Sequence, residues 1–178
     1  MQKQREEGKL QKKYLALAEG DLSEANDSVF WKEIAIPLAP DPENPMKMTI
    51  SPDGLLPGSR NAVTYYKNIK SFGNVTLVEL QLETGRTHQI RVHMSGIGHP
   101  LLGDTMYNPR VCLKMSNSKE KKNTEGRINN RNDCFKRAAL HAWKLTFCHP
   151  FTDEIITLEA PLPDDFCRFL NANEEEKT

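Results

Sequence analysis

The chain has 178 residues, 38% of them apolar, and a formal net charge of zero, which suits one domain with a sizeable core. Zero net charge argues against a protein held on a polyanion by bulk charge, although local basic patches matter more than the sum. Cys112, Cys134, Cys148 and Cys167 form no CxxC pair, no apolar run matches a membrane span, and MQKQREEGKLQKK lacks a secretory core. The chain therefore reads as a soluble intracellular protein, with cytoplasm, nucleus and organelle all open.

Residues 1–9 are charged and helix-favouring and end near Gly8. Lys13 to Gly20 and Val29 to Ile36 read as strands. Residues 37–60 carry six prolines and three glycines or asparagines, which predicts turns and loop. Strands follow at Ala62 to Phe72 and Val75 to Leu82, joined by a Gly73–Asn74 turn. In the second, Thr76, Val78, Leu80 and Leu82 share one face, with Val75, Leu77, Glu79 and Gln81 on the other.

Thr84 or Thr87 is the expected cap of a helix on which Ile90, Met94 and Ile97 form a core stripe. His88, Arg91 and Ser95 form an adjacent stripe, and Gly96 and Gly98 end the helix. Residues 110–136 lack apolar periodicity and read as a mobile insertion. Ala139 to Phe147 and Ile155 to Glu159 read as strands around a His149–Pro150 turn, and Asp164 to Leu170 as a closing helix. The expectation is a single α+β domain over 1–178, its sheet mixed but mainly antiparallel with short flanking helices, and a disordered acidic tail at 171–178.

Three chemistries are disfavoured. His88 and His93 lie five apart on different helix faces and HExxH is absent, so no metal is expected. GxxxxGK[ST] and GxGxxG are missing, so no nucleotide cofactor is expected either. Nothing resembles GxSxG, and Ser95 has no strained elbow or orienting acid. The helix start at TGRT, with Arg86 beside it, instead suits a phosphate of an RNA backbone.

TGRTHQIRVH followed by IGHPLLGDTMY resembles a motif region of the RluA family of RNA pseudouridine synthases. KKYLALAEG resembles that family's tyrosine-bearing strand, and RAALHAWKLTFCHPFTDE with LEAPLPDDF its C-terminal signature. The blocks stand in the family's order from about Lys12 to Phe166, and the insertion at 110–136 is longer than many members carry.

The resemblance implies a pseudouridine-synthase-like fold and a cofactor-free isomerisation of uridine to pseudouridine in structured RNA, ribosomal or transfer. In that chemistry an aspartate attacks the ribose or removes a ribose proton, a tyrosine stacks on the flipped base, and an arginine pairs with the aspartate. The matching catalytic residues are Tyr14 and Arg91; Arg86, His88, Gln89 and Leu140 are the candidate RNA contacts, Leu140 as an apolar neighbour of the base. A phenol suits both stacking and proton exchange, and a guanidinium fork suits an ionised carboxylate.

The aspartate belongs to a segment resembling HRLDxxTSG, and no such segment occurs. Asp21, Asp27, Asp41 and Asp53 fall in other loop contexts, and Asp104 reads as support for its own turn. The expectation is a fragment of a monomeric synthase, inactive alone, with a non-catalytic RNA-binding protein as the alternative. An Arg91 without its carboxylate would be an unpaired buried charge costing roughly 3–5 kcal/mol.

Overall fold

The structure, a computed structural model, describes residues 10–22, 30–111 and 135–174. In chain order the elements are β1 (Gln11–Glu19), β2 (Lys32–Ile34), β3 (Leu38–Pro40), β4 (Met48–Ile50), β5 (Thr64–Ser71) and β6 (Val75–Leu82). Helix α1 (Gln89–Gly96), β7 (Leu140–Cys148), β8 (Ile155–Glu159) and helix α2 (Asp164–Glu174) follow. Six strands form one sheet in the order β2-β5-β6-β1-β7-β8, every neighbouring pair antiparallel, while β3 and β4 pair separately. The α+β class and antiparallel sheet expected from the sequence are what the structure shows.

The two central strands are buried on both faces. Leu15 and Leu17 of β1 join Val75 and Leu77 of β6 and the α2 residues Phe166 and Phe169 in one core cluster. Ala16 and Ala18 join Val78, Leu80 and the α1 residues Ile90 and Met94 in the other. The LALA alternation thus puts bulk towards the phenylalanines of α2 and leaves room for α1 to approach the sheet.

The sequence reading is corrected at several places. Residues 37–60 are not all loop, because β3 and β4 form a short ladder in which Pro40 occupies the last paired position opposite Met48; there its missing N–H is tolerable. Neither Thr84 nor Thr87 caps α1. The cap is His88 in the left-handed conformation (φ 55°), with no side-chain cap bond. The helix ends as foreseen: Gly98, at φ +85°, allows a closing turn in which His99 N–H donates to Met94 O and Gly98 N–H to Ser95 O.

Residues 171–174, expected in a disordered tail, continue α2. The expected helix at 1–9, the bulk of the expected insertion (112–134) and 175–178 lie outside the described residues. Among the described residues no helix is long and apolar enough to cross a membrane.

Gly103 occupies the tightest point of the turn after α1. Its φ is +66°, and a Cβ there would press on the Arg137 carbonyl oxygen and lie 2.6 Å from Phe135 Cβ. Gly103→Ala is expected to destabilise the chain by at least about 3 kcal/mol, since backbone strain and overlap add. Urea unfolding measures this as a lower midpoint at unchanged slope; a loss under about 1 kcal/mol would show that the turn can move off Phe135.

Candidate active site

β6 leads into α1 through the Thr84-Gly85-Arg86 turn, and Gln89 fastens that turn to the start of β5. Its Oε1 accepts from Thr84 Oγ1 (2.8 Å) and Arg86 N–H (2.9 Å), and its Nε2 donates to Val63 O (2.9 Å) and Thr64 Oγ1 (3.0 Å). With four hydrogen bonds made inside the protein and a buried side chain, Gln89 is no RNA contact, contrary to the sequence expectation. It holds Arg86 in place instead. Arg86 is half-buried, with Nε donating to Asn61 O at 3.0 Å.

One turn along, His93 is wholly buried. Nε2 must donate to Ile36 O (2.8 Å), because a carbonyl can only accept, so Nδ1 accepts from the Thr64 hydroxyl at 2.8 Å. Burial lowers its pKa below the ordinary imidazole value and outweighs the bond to Ile36, so the ring stays neutral.

Arg91 does not lack a carboxylate. Its Nε donates to Asp104 Oδ2 at 2.7 Å and its Nη2 to Asp104 Oδ1 at 2.8 Å, which corrects the expectation of an unpaired charge. Asp104 Oδ1 also accepts the N–H groups of Met106 (2.9 Å) and Tyr107 (3.0 Å). Burial alone would raise the Asp104 pKa, but Arg91 and those two N–H groups more than reverse this and leave it lowered. The Arg91 pKa is raised, chiefly by Asp104 and against the opposing effect of burial.

The Arg91 side chain is 20% exposed, that of Asp104 0%. Buried and held by four donated bonds, Asp104 orients Arg91, whose Nη1 has no partner among the described residues.

Tyr107 closes the constellation. The Arg91 guanidinium carbon lies 4.9 Å from its ring centroid, its hydroxyl accepts Met48 N–H at 2.9 Å, and that hydroxyl stands 2.8 Å from His88 Nδ1. Sequence reasoning singled out neither Tyr107 nor the pairing role of Asp104. The available signal was the GDTMY run, an aspartate followed by N–H groups that an Asx-type turn can satisfy.

Tyr14 and Leu140 pack, half-buried, against the cluster that contains Ile90 and Met94 of α1. Tyr14 pairs with Leu80 and Ala142, while Ala16 pairs with Val78 and Leu140, so Leu140 is a diagonal neighbour of Tyr14. The β1–β7 register shifts between Lys13 and Tyr14. The family model for RNA pseudouridylate synthase matches residues 1–96.

The chain belongs to the RNA pseudouridylate synthase family. It is 38% identical over 159 residues to an uncharacterised RNA pseudouridine synthase of Bacillus subtilis, covering 89% of this chain and 43% of that protein. It is 47% identical over 116 residues to ribosomal large subunit pseudouridine synthase D of Haemophilus influenzae, covering 65% of this chain and 34% of that protein. The chain thus spans less than half the length of these curated relatives. The solved structure of human RNA pseudouridylate synthase domain containing 4 superposes with a TM-score of 0.69 at 25% identity, covering 97% of this chain and 66% of that one. The family and fold implied by the motif resemblance are therefore those of this pseudouridylate synthase relative.

The Arg91–Asp104 fork yields a stability prediction. Asp104→Asn leaves the guanidinium half-buried without its countercharge and is expected to cost about 3–5 kcal/mol at pH 7. Because the folded pKa of Asp104 is lowered, its contribution is present above the unfolded value of about 3.9 and lost as pH falls through the folded one. Denaturant titrations of both proteins from pH 7 to pH 2 should show the difference shrinking only below about pH 4; a constant difference would place the stabilisation elsewhere.

Proposed function

We infer that this chain is part of an enzyme that converts uridine to pseudouridine in structured RNA, acting as a monomer without cofactor or metal. The observation that carries this reading is the oriented Arg91, on a helix packed against the sheet face that bears Tyr14 and Leu140. Ribosomal RNA is the favoured substrate over transfer RNA, since one relative is named for the large ribosomal subunit.

In this reading a carboxylate attacks the ribose or removes its proton, and the N-glycosidic bond breaks. The uracil turns, carbon 5 bonds to the ribose, and the proton displaced from carbon 5 leaves by way of a base. Tyr14 stacks on the flipped uracil and is the candidate to handle that proton. Leu140 packs against the base, while Arg86 and His88 contact the surrounding RNA. Arg91, already paired with Asp104, offers Nη1 to a second carboxylate and keeps it ionised. Asp104 is too enclosed to be that second group, so we assign the reacting carboxylate to residues outside these 178.

The test compares residues 1–178 with a version extended upstream, on total RNA from cells lacking the gene. Product is expected only with the extended form, and Tyr14→Phe in it should lower turnover at least ~100-fold. Activity in residues 1–178 alone would refute the assignment of the carboxylate, and RNA retention with no product in either form would favour a binding protein. Arg86→Ala should weaken RNA retention and reduce the salt slope by about one; an unchanged slope would remove Arg86 from the RNA contacts.

A further inference from the structure

His88 is one of two non-glycine residues with positive φ among the described residues, at 55°. Nothing in its local sequence requires this, since Gly85 stands three residues earlier and a short polar cap would start the helix without strain. The conformation carries the imidazole to Tyr107, where the rings meet edge-to-face at 5.5 Å and Nδ1 lies 2.8 Å from the phenol oxygen. Strained positions of this kind gather where a side chain must be aimed.

The direction of the hydrogen bond follows from what the phenol already does. Its oxygen accepts Met48 N–H at 2.9 Å, and conjugation with the ring makes it a poor acceptor of a second bond. Its own proton therefore goes to the acceptor within reach, His88 Nδ1. That places the ring's single N–H proton on Nε2, which has no partner among the described residues. Burial and the neighbouring Arg91 both disfavour an imidazolium here, and Asp104 only partly opposes them.

We propose that Tyr107 is a positioning residue that locks His88 as a neutral Nε2–H donor beside Arg91. The site then presents a neutral donor to an oxygen acceptor of the RNA, beside the cationic donor that Arg91 keeps for the reacting carboxylate. This role rests on the RNA reading above. Tyr107 serves both donors, because the same ring also lies under the Arg91 guanidinium.

Two conservative changes separate the idea from general damage. Tyr107→Phe keeps the ring and its contact with Arg91 but removes the hydroxyl. His88→Asn removes the imidazole while keeping a residue that tolerates the left-handed backbone. In chain labelled with 15N-histidine, His88 should show the Nε2–H tautomer with an acceptor-like Nδ1, and Tyr107→Phe should give a tautomer mixture. Each variant should weaken RNA retention by about 3- to 10-fold, and the double variant no more than either alone.

A Tyr107→Phe spectrum identical to wild type overturns the lock. A changed spectrum with RNA retention unchanged in both variants overturns the RNA-facing role. If the wild-type chain retains no RNA, the functional reading fails and this role fails with it, whereas wild-type retention with unaffected variants counts against this role alone. Because the donor is neutral, His88→Asn should leave the salt slope unchanged, whereas a slope reduced by about one would show a charged His88 and overturn the lock.

Discussion

The paired bonds between Arg91 and Asp104 join two segments that the chain presents separately, a helix and the turn that follows it. The turn is also tied at its far end, where Asn108 Nδ2 donates to Glu19 Oε1 at 2.7 Å and Arg110 Nη1 to Glu19 Oε2 at 2.7 Å. Between these anchors Leu102 N–H donates to Leu17 O, and Ala139 N–H to Leu102 O. The turn thereby completes the sheet environment at the end of β1 and fixes where β7 begins. A half-buried ion pair contributes little net attraction once desolvation is subtracted. Its value here is geometric: a planar fork on a carboxylate admits one orientation of the guanidinium.

Polar side chains in this region divide into two kinds. Gln89, His93, Thr64 and Thr84 spend their hydrogen-bonding capacity on one another and on the backbone of Ile36, Val63 and Arg86, so they set the position of the helix. Arg91 and His88 each keep a donor that no described residue uses. The first kind makes the second rigid, because α1 cannot rotate without stranding a buried amide or imidazole. A site built on a short helix needs such a foundation, since eight residues of helix are not self-supporting.

Much of this was legible in the sequence. β6 and β8 have the predicted limits because their alternation and flanking turns are local signals. The Ile90–Met94 stripe and the glycine end of α1 were equally clear. The hidden parts all depend on contacts across the chain. Gln89 read as an outward polar residue, since periodicity cannot reveal that its own turn and the start of β5 together supply four matching groups. The cap was misplaced because His88 turns the chain by backbone conformation and not by a side-chain bond. The prolines of 37–60 masked a ladder too short to show alternation. Tyr14 is placed on the expected strand, but its chemistry cannot be read from the strand alone.

The sheet order has a consequence for how this chain comes into being. β1 lies at the centre of the sheet, yet it is made before both of its described partners, β6 and β7. β5 and β6 can pair at once through their tight turn, whereas Ala16 must wait for Leu140. At about 5–20 residues per second on the ribosome, that wait is on the order of 6–25 s. Throughout it the Leu15–Ala18 run lacks its full pair of described partners, which exposes β1 to chaperones and to mispairing with other nascent chains.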